Sequence, residues 1–401
     1  MKIVHIEDYF HPDAGYQINI LPKYMVKAGH DVTIITSQMD KIPEKLTKFF
    51  GSDNIAERDK EYCNQYGVKI IRIPVNGFVA NRVVLSRELY KTIKLEKPDV
   101  VYVHGNDSWT GIRMLLRYHR NEYPIMLDSH MLAMASTSRF SRVFRFMYKS
   151  FITPIIKRNE LFVIRTQDDP YVEKYLGIPH ELSPWISVGS DTMLFKPDLE
   201  LRHVIRNELN IAKDDFVVLY AGKLDAAKGG MLLAETIQKR ISSEQGIVFL
   251  IIGNTVGEYG RQVEDTFNKC ENRIIRLPSQ KYSDLQKYYA ASDLAVFPKQ
   301  CSLSFYDVQA SGLPVVSEDN NINCERCSHG NGMNFRSGDS NDFREKILCF
   351  LSLNQQAMEK YRRNSREYIV DGFDYFDISN DYINYLDKTV CLFRDKNRKT
   401  T

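Results

Sequence analysis

Short apolar runs alternate with longer amphipathic stretches along both halves of the chain, the pattern of strand–helix repeats that build parallel sheets. In the first half the strand-sized runs are Lys2–Ile6, Asp31–Thr36, Val68–Ile73, Val100–His104, Ile125–Asp128 and Leu161–Arg165. In the second they are Phe216–Tyr220, Val248–Gly253, Ile274–Leu277, Leu294–Phe297 and Pro314–Ser317. Several close on Gly, Asp, Ser or His, where a parallel sheet presents ligand-binding groups beyond its carboxyl edge. Gly177–Pro197 holds Pro179, Pro184, Gly189 and Pro197 between the two series and reads as an interdomain linker. From about Gln355 onward the pattern is helical, with tyrosines and aliphatics three and four apart in Tyr375–Leu392. The pattern predicts an α/β chain of two doubly wound domains facing each other across a cleft. The first covers residues 1–188 and the second 198–371, and a last helix from about 372 to 401 packs back on the first.

Composition narrows the class. At 401 residues the chain is long enough for two domains, and 43% hydrophobic with 26% charged residues excludes a disordered or fibrous protein. Basic and acidic residues number 54 and 51, a formal charge of +3, too balanced to argue for nucleic acid as a partner. The longest nearly apolar runs, such as Ile247–Gly253, are strand-sized and too short for a membrane span. The opening run breaks at Glu7-Asp8 and reads as a strand rather than a secretory segment. Seven scattered cysteines, an odd number, point to reduced thiols, so a cytoplasmic protein is expected.

Two segments carry candidate chemistry. Tyr220-Ala221-Gly222-Lys223-Leu224-Asp225-Ala226-Ala227-Lys228-Gly229-Gly230 follows a strand and opens a helix. Its glycines let backbone amides approach an anion, and Lys223 and Lys228 can flank a diphosphate. It lacks the G-x-x-x-x-G-K-[ST] of a Walker A loop, and its plainer reading is a strand–helix turn with two solvated lysines. In Phe297–Val316 a strand ends at Pro298, a polar loop follows, and a helix runs from about Ser304 to Gly312. Amides at Leu303–Phe305 would point at a ligand. Asp307, three residues after Ser304, suits a capping-box carboxylate, an acceptor for a ribose diol, or both.

The order of these segments resembles the GT-B glycosyltransferases of family 4, retaining enzymes that use nucleotide sugars. G-K-L-x-x-x-K-G followed by an acidic residue ahead of Ala310-Ser311-Gly312-Leu313-Pro314-Val315-Val316 carries the likeness. Phe10-His11-Pro12-Asp13-Ala14-Gly15, Gly29-His30-Asp31-Val32 and Pro98–Gly105 extend it through the first half. Gly189–Thr192 with Phe195–Pro197, then Asn331-Gly332 and Gly338-Asp339, extend it to nearly the whole chain. The resemblance implies that Lys223 and Lys228 bind the donor diphosphate, with Gly222 between strand and lysine. Lys223 replaces the family's arginine, keeping charge and losing the bidentate fork. It implies that Asp307 holds the ribose, that Leu277 and Pro278 lie by the base, and that Gly15 lets its loop approach acceptor or phosphate. Tyr16 stands where the family has a second glycine, which narrows that loop. His130 matches a histidine beside the donor sugar, while His104 reads as a residue that supports the site from behind or packs.

Lys299 stands at the position of the family's first sugar-contacting glutamate, which shifts the sugar-facing role to Ser302, Leu303 and Ser304. The implied reaction needs no cofactor and no metal, because lysines and helix amides stabilise the leaving diphosphate. No D-x-D metal motif follows a strand in the first domain, and Asp168-Asp169 runs into Pro170-Tyr171 as a helix start. The expected partners are a nucleotide-sugar donor and a carbohydrate or lipid-linked acceptor, in bacterial surface polysaccharide or glycolipid synthesis. A catalytically silent homologue that binds a nucleotide or serves as a partner subunit is the alternative, on account of Lys299, Lys223 and Tyr16.

Between Ser129 and Asn159 there is no acidic residue, while Arg139, Arg142, Arg145, Lys149, Lys157 and Arg158 are basic. On a helix, Phe140, Phe144, Met147 and Phe151 share one face and Arg139, Arg142, Arg145 and Lys149 another. Such a helix suits either an anionic membrane surface or packing on its own sheet with a solvated basic rim. The first reading places the protein peripherally on the inner face of the cytoplasmic membrane. Cys324 and Cys327 with His329 form a single C-x-x-C, too little for a zinc site.

Overall fold

The computed structural model describes residues 1–41, 53–79, 82–133, 140–241, 245–299 and 302–400. The chain divides into two units, Met1–Val188 with Tyr375–Thr401, and Gly189–Asp374.

In the first unit the strands are β1 (Lys2–Glu7), β2 (Asp31–Ser37), β3 (Lys69–Ile73), β4 (Val75–Val79), β5 (Arg82–Leu85), β6 (Val100–Val103), β7 (Ile125–Ser129) and β8 (Val163–Arg165). Six of them form one sheet in the order β3-β2-β1-β6-β7-β8, every pair parallel. β1 and β6 are buried on both faces, which is why they read as unbroken apolar runs rather than alternating ones. The antiparallel pair β4–β5 was not legible, because Asn76 and Gly77 interrupt its apolar pattern. The helix Tyr375–Thr400 belongs to this unit, with Ile378, Tyr382, Leu386 and Val390 buried at a spacing of four. Tyr382 Oη accepts from Gln17 Nε2 at 2.6 Å and donates to the Ile186 carbonyl at 3.3 Å.

The second unit holds β9 (Phe216–Ala221), β10 (Ile247–Ile252), β11 (Arg273–Leu277), β12 (Leu294–Phe297), β13 (Val315–Glu318) and β14 (Gly332–Phe335), all parallel, in the order β11-β10-β9-β12-β13-β14. The short edge strand β14 escaped the sequence pattern. It starts at Gly332 because a side-chain carbon there would lie 2.7 Å from the Val315 carbonyl oxygen. Each sheet reverses its strand order beside its first strand, between β1 and β6 and between β9 and β12, and ligands of doubly wound sheets bind outside such points. No described helix is long and apolar enough to cross a membrane.

Candidate active site

In the second unit, two loops leave the carboxyl ends of the neighbouring strands β9 and β12 and touch at Gly229. The first loop turns back on itself: Lys228 N donates to Asp225 Oδ1 at 2.9 Å and Gly230 N to the Asp225 carbonyl at 3.1 Å. Tyr220 Oη donates to the Lys223 carbonyl at 2.5 Å and fixes the loop's other end. Gly222 lies under Gly253, where a side-chain carbon would fall 1.9 Å from the Gly222 carbonyl oxygen. Lys223 is exposed and Lys228 half-buried, and the helix Gly230–Thr236 follows. The loop thus carries two cations and a helix start on one edge of the sheet.

The second loop includes Lys299, whose Cβ faces Gly229, and resumes with Ser302 Oγ 2.8 Å from Ser304 Oγ. Arg326, buried against Phe305 and Tyr306, donates to the Ser302 carbonyl at 3.3 Å and anchors the loop from below. The helix begins at Ser304, and the Leu303 carbonyl accepts from Tyr306 N at 3.1 Å. Phe305 N donates to the Ser302 carbonyl at 3.4 Å, so of the three amides expected to face a ligand this one is already engaged.

Asp307 corrects one expectation. It does not cap its helix. Its carboxylate lies buried beneath the loop, where Oδ1 accepts from Ser190 Oγ at 2.7 Å and Tyr282 Oη at 3.1 Å. The reason is that Ser190 of the linker and Tyr282 bring hydroxyl donors deeper than the helix N-terminus. Burial pushes the Asp307 carboxyl up to about 7. Leu277 ends β11 with its carbonyl accepting from Gly253 N at 3.0 Å, and exposed Pro278 follows. The structure therefore gathers Gly222, Lys223, Lys228, Ser302, Leu303, Ser304, Asp307, Leu277 and Pro278 on the carboxyl edge of one sheet. Gly15 and His130 lie in the first unit.

There a chain of side chains runs inward from His130, which the sequence reading had singled out without its partners. His130 Nε2 lies 3.3 Å from Asp128 Oδ2, and His104 Nδ1 lies 2.9 Å from the same oxygen. Tyr102 Oη donates to it at 2.7 Å, and Gly105 N donates to Oδ1 at 2.7 Å. His104 Nε2 meets His5 Nδ1 at 3.0 Å. The missed members, Tyr102 and Asp128, each stand two residues before a histidine at the ends of two neighbouring strands, Tyr102 before His104 and Asp128 before His130, so each pair shares a face. That spacing was the available signal. His104, read as a supporting or packing residue, is buried and stands behind His130 in this chain.

Desolvation would raise Asp128, but the His130 and His104 rings beside it win and hold its carboxyl well below the usual range. His130 is pulled down by desolvation and raised more strongly by Asp128, with Glu7 and Asp107 behind it, so its pKa ends above that of free histidine. Burial and the neighbouring His104 hold His5 well below, hence neutral. His104, Asp128 and His130 are the one group of metal-type donors that gathers within 4.8 Å among the described residues. Asp128 Oδ2 thus accepts from the Tyr102 hydroxyl and has the His104 and His130 rings beside it. Cys327 Sγ packs on Ser317 Oγ at 3.2 Å and Cys324 Sγ on Asp319 at 3.1 Å.

The basic segment is rearranged relative to its helical projection. Arg139 lies outside the described residues. The helix Ser141–Met147 passes into a π-helical turn, Tyr148–Ile152, which rotates the downstream face. Phe144 packs inward on Tyr148, and the Arg145 guanidinium stacks 4.3 Å from the Tyr175 ring. Phe144 and Arg145 are thus not on the faces assigned to them. Phe140, Val143, Phe146, Met147 and Phe151 are exposed instead, with Phe146 at 71% and Phe151 at 63%, beside exposed Arg142 and Lys149.

Comparison with known proteins places both units. The family described as "Glycosyltransferase Family 4" matches residues 17–163, and "Glycosyl transferases group 1" matches 215–352. The Escherichia coli UDP-Gal:alpha-D-GlcNAc-diphosphoundecaprenol alpha-1,3-galactosyltransferase is 25% identical over 71% of this chain and 74% of its own. A glycosyltransferase from Rickettsia africae shares the fold with a TM-score of 0.76 at 13% identity, over 97% of this chain and 98% of its own. Anabaena HepE in complex with UDP-glucose shares it with a TM-score of 0.73 at 18% identity, over 97% of this chain and 100% of its own. With both sheets, both loops and both family matches in agreement, the chain belongs to the GT-B glycosyltransferases of family 4.

Proposed function

We propose that the chain is a retaining, metal-independent hexosyltransferase that moves a sugar from a UDP-sugar to a lipid-diphosphate-linked acceptor in bacterial surface polysaccharide or glycolipid synthesis. The observation that carries this reading is the meeting of the Lys228 and Lys299 loops at Gly229, with Asp307 buried in the helix that follows the second loop. Two lysines and a helix start on one sheet edge suit a diphosphate, and a buried carboxylate suits the ribose diol. The E. coli relative's UDP-galactose donor and diphosphoundecaprenol-linked acceptor support the choice of substrates.

In the reaction the bond from the anomeric carbon to the diphosphate oxygen breaks, and a bond to the acceptor oxygen forms on the same face. The acceptor proton passes to a phosphate oxygen, and Lys223 and Lys228 stabilise the negative charge that a divalent ion neutralises in other transferases. The exposed Phe146–Phe151 face, flanked by Arg142 and Lys149, attaches the protein to the anionic membrane that holds such an acceptor.

Thermal melts across a panel of nucleotide sugars test the donor, since a ligand at 100 times its Kd stabilises the native state by about 2.7 kcal/mol. Protection by one UDP-sugar, followed by release of UDP and an axial product linkage when a lipid-diphosphate acceptor is added, is the expected result. No protection and no release from any donor would remove the enzymatic reading.

A further inference from the structure

Both ring nitrogens of His130 lie beside protein oxygens, although 45% of the side chain is exposed. At Nε2 the partner is Asp128, a buried carboxylate that only accepts. At Nδ1 the partner is Thr166 Oγ1, 3.2 Å away. The single proton of that hydroxyl is directed to the Ser129 carbonyl at 3.0 Å, so a lone pair is what Thr166 turns toward Nδ1. A ring that donates from both nitrogens is an imidazolium.

We infer that His130 is a fixed imidazolium, locked by Asp128 and Thr166 as positioning residues, which supplies positive charge to the transfer reaction and neither takes nor gives the acceptor's proton. The inference rests on the proposed transfer for its use, though not for the charged state itself. With Nε2 and Nδ1 engaged inside the protein, the ring offers a substrate its polarised C–H edge and its field. The chemistry it can serve is negative charge developing on a substrate oxygen at the carboxyl edge of its own sheet.

The titratable and charged groups around the ring come from four strand ends, and of these Asp128, Glu7 and Asp107 favour the cation. β1 brings Glu7, whose carboxyl burial raises, and Asp8, which burial with Glu7 beside it pushes up to about 7. The end of β6 brings His104 and, in the following loop, Asp107, whose own partner is Arg82 at 3.4 Å. β7 brings Asp128. The end of β8 brings Thr166 and Arg165, the latter turned away to the Ser183 carbonyl, Asp168 and Glu173. Asp128 is the nearest acidic group and the strongest of those that favour the cation. To lose its Nδ1 proton the ring would have to draw the Thr166 hydroxyl off Ser129.

The test is a pH titration of the full chain with labelled histidine, read by two-dimensional NMR and assigned with His130→Gln. The His130 midpoint should lie above the ~6.5 of free histidine, with both nitrogens showing protonated shifts below it. Thr166→Val should lower that midpoint by about one unit, since it removes the Nδ1 acceptor and leaves the ring packed. The alkaline limb of kcat should follow the same midpoint in both proteins while KM for the donor changes little. A wild-type midpoint at or below 6.5, or a kcat limb that stays put in Thr166→Val, would overturn the inference. Asp128→Asn adds a larger downward shift if it folds; the wild-type titration decides the charged state without it. Because that titration needs no turnover, a charged His130 in a chain that never releases UDP strikes the proposed function alone.

Discussion

A side-chain carbon on Gly229 would lie 2.9 Å from Lys299 Cβ, and 3.1 Å from Pro298 Cβ, so the two loops close on each other only because residue 229 has none. Its backbone also sits at φ +75°, in the left-handed region where a side chain costs about 1–2 kcal/mol. Gly229→Ala should therefore lower Tm, by about 2–4 °C for each kcal/mol lost. It should also weaken UDP binding, since the loops must part. Thermal melts paired with UDP calorimetry check both. Unchanged UDP affinity would mean that the contact is structural only.

Lys228 separates charge from fold. Its side chain is half-buried at the loop tip, and the loop is held by backbone bonds to Asp225. Lys228→Ala should leave the melting temperature within about 1 °C and cut kcat by on the order of 10²-fold. Lys228→Arg, which keeps the charge, should restore most of it. If two lysines do stand in for a divalent ion, turnover should also persist in excess chelator. Steady-state rates of UDP release measure all three, and a strict metal requirement would contradict this account.

Asp307 gives the second unit a pH dependence with a definite sign. Burial raises its carboxyl from the ordinary ~3.9 to about 7, so the fold favours the protonated form. Its contribution to stability is full below about pH 4 and is lost as pH rises through about 7. UDP binding should run the other way, since the ionised carboxylate is the better acceptor for a ribose diol. Affinity should strengthen between pH 6 and 8 in the wild type. Asp307→Asn, which keeps an oxygen for Ser190 and Tyr282, should flatten both trends and bind UDP about tenfold more weakly, as for loss of one charged hydrogen bond. Calorimetry across that range decides it.

The strand–helix alternation was legible in the sequence because parallel strands buried on both faces read as plain apolar runs, as β1 and β6 do. What the pattern missed had weak apolar content: β4–β5, broken by Asn76 and Gly77, and β14, which opens on Gly332. Lys223, Lys228 and Asp307 could be picked out because each lies in a loop or helix start after a strand. The partners of Asp307 could not, since Ser190 and Tyr282 approach it from the linker and from a separate turn. The relay behind His130 depends on β6 and β7 being neighbours, with β1 on the other side of β6, a matter of strand order that local sequence does not state. Phe144 and Arg145 face otherwise for a different reason: tertiary partners, Tyr148 for Phe144 and the Tyr175 ring for Arg145, turn them inward, and a helical projection does not contain those partners.

That packing changes how the membrane face should be tested. Arg145 stacks on Tyr175, so Arg145→Gln removes packing and should lower stability whether or not a membrane is involved. Arg142 and Lys149 are exposed beside the apolar stripe, and each should contribute on the order of 1 kcal/mol to attachment at an anionic surface, weakening with salt. Phe146 and Phe151 are exposed, so Phe146→Ser and Phe151→Ser should leave the fold intact while removing what enters the headgroup boundary. The quadruple variant Arg142→Gln, Lys149→Gln, Phe146→Ser and Phe151→Ser should keep the wild-type melting curve and its UDP affinity. Its sedimentation with phosphatidylglycerol vesicles should fall at least tenfold, roughly the loss of 1.4 kcal/mol. Transfer to a lipid-linked acceptor should fall with it, while transfer to a short soluble analogue should not. Equal vesicle binding by the two proteins would make this face an ordinary solvated helix and detach the acceptor from the membrane.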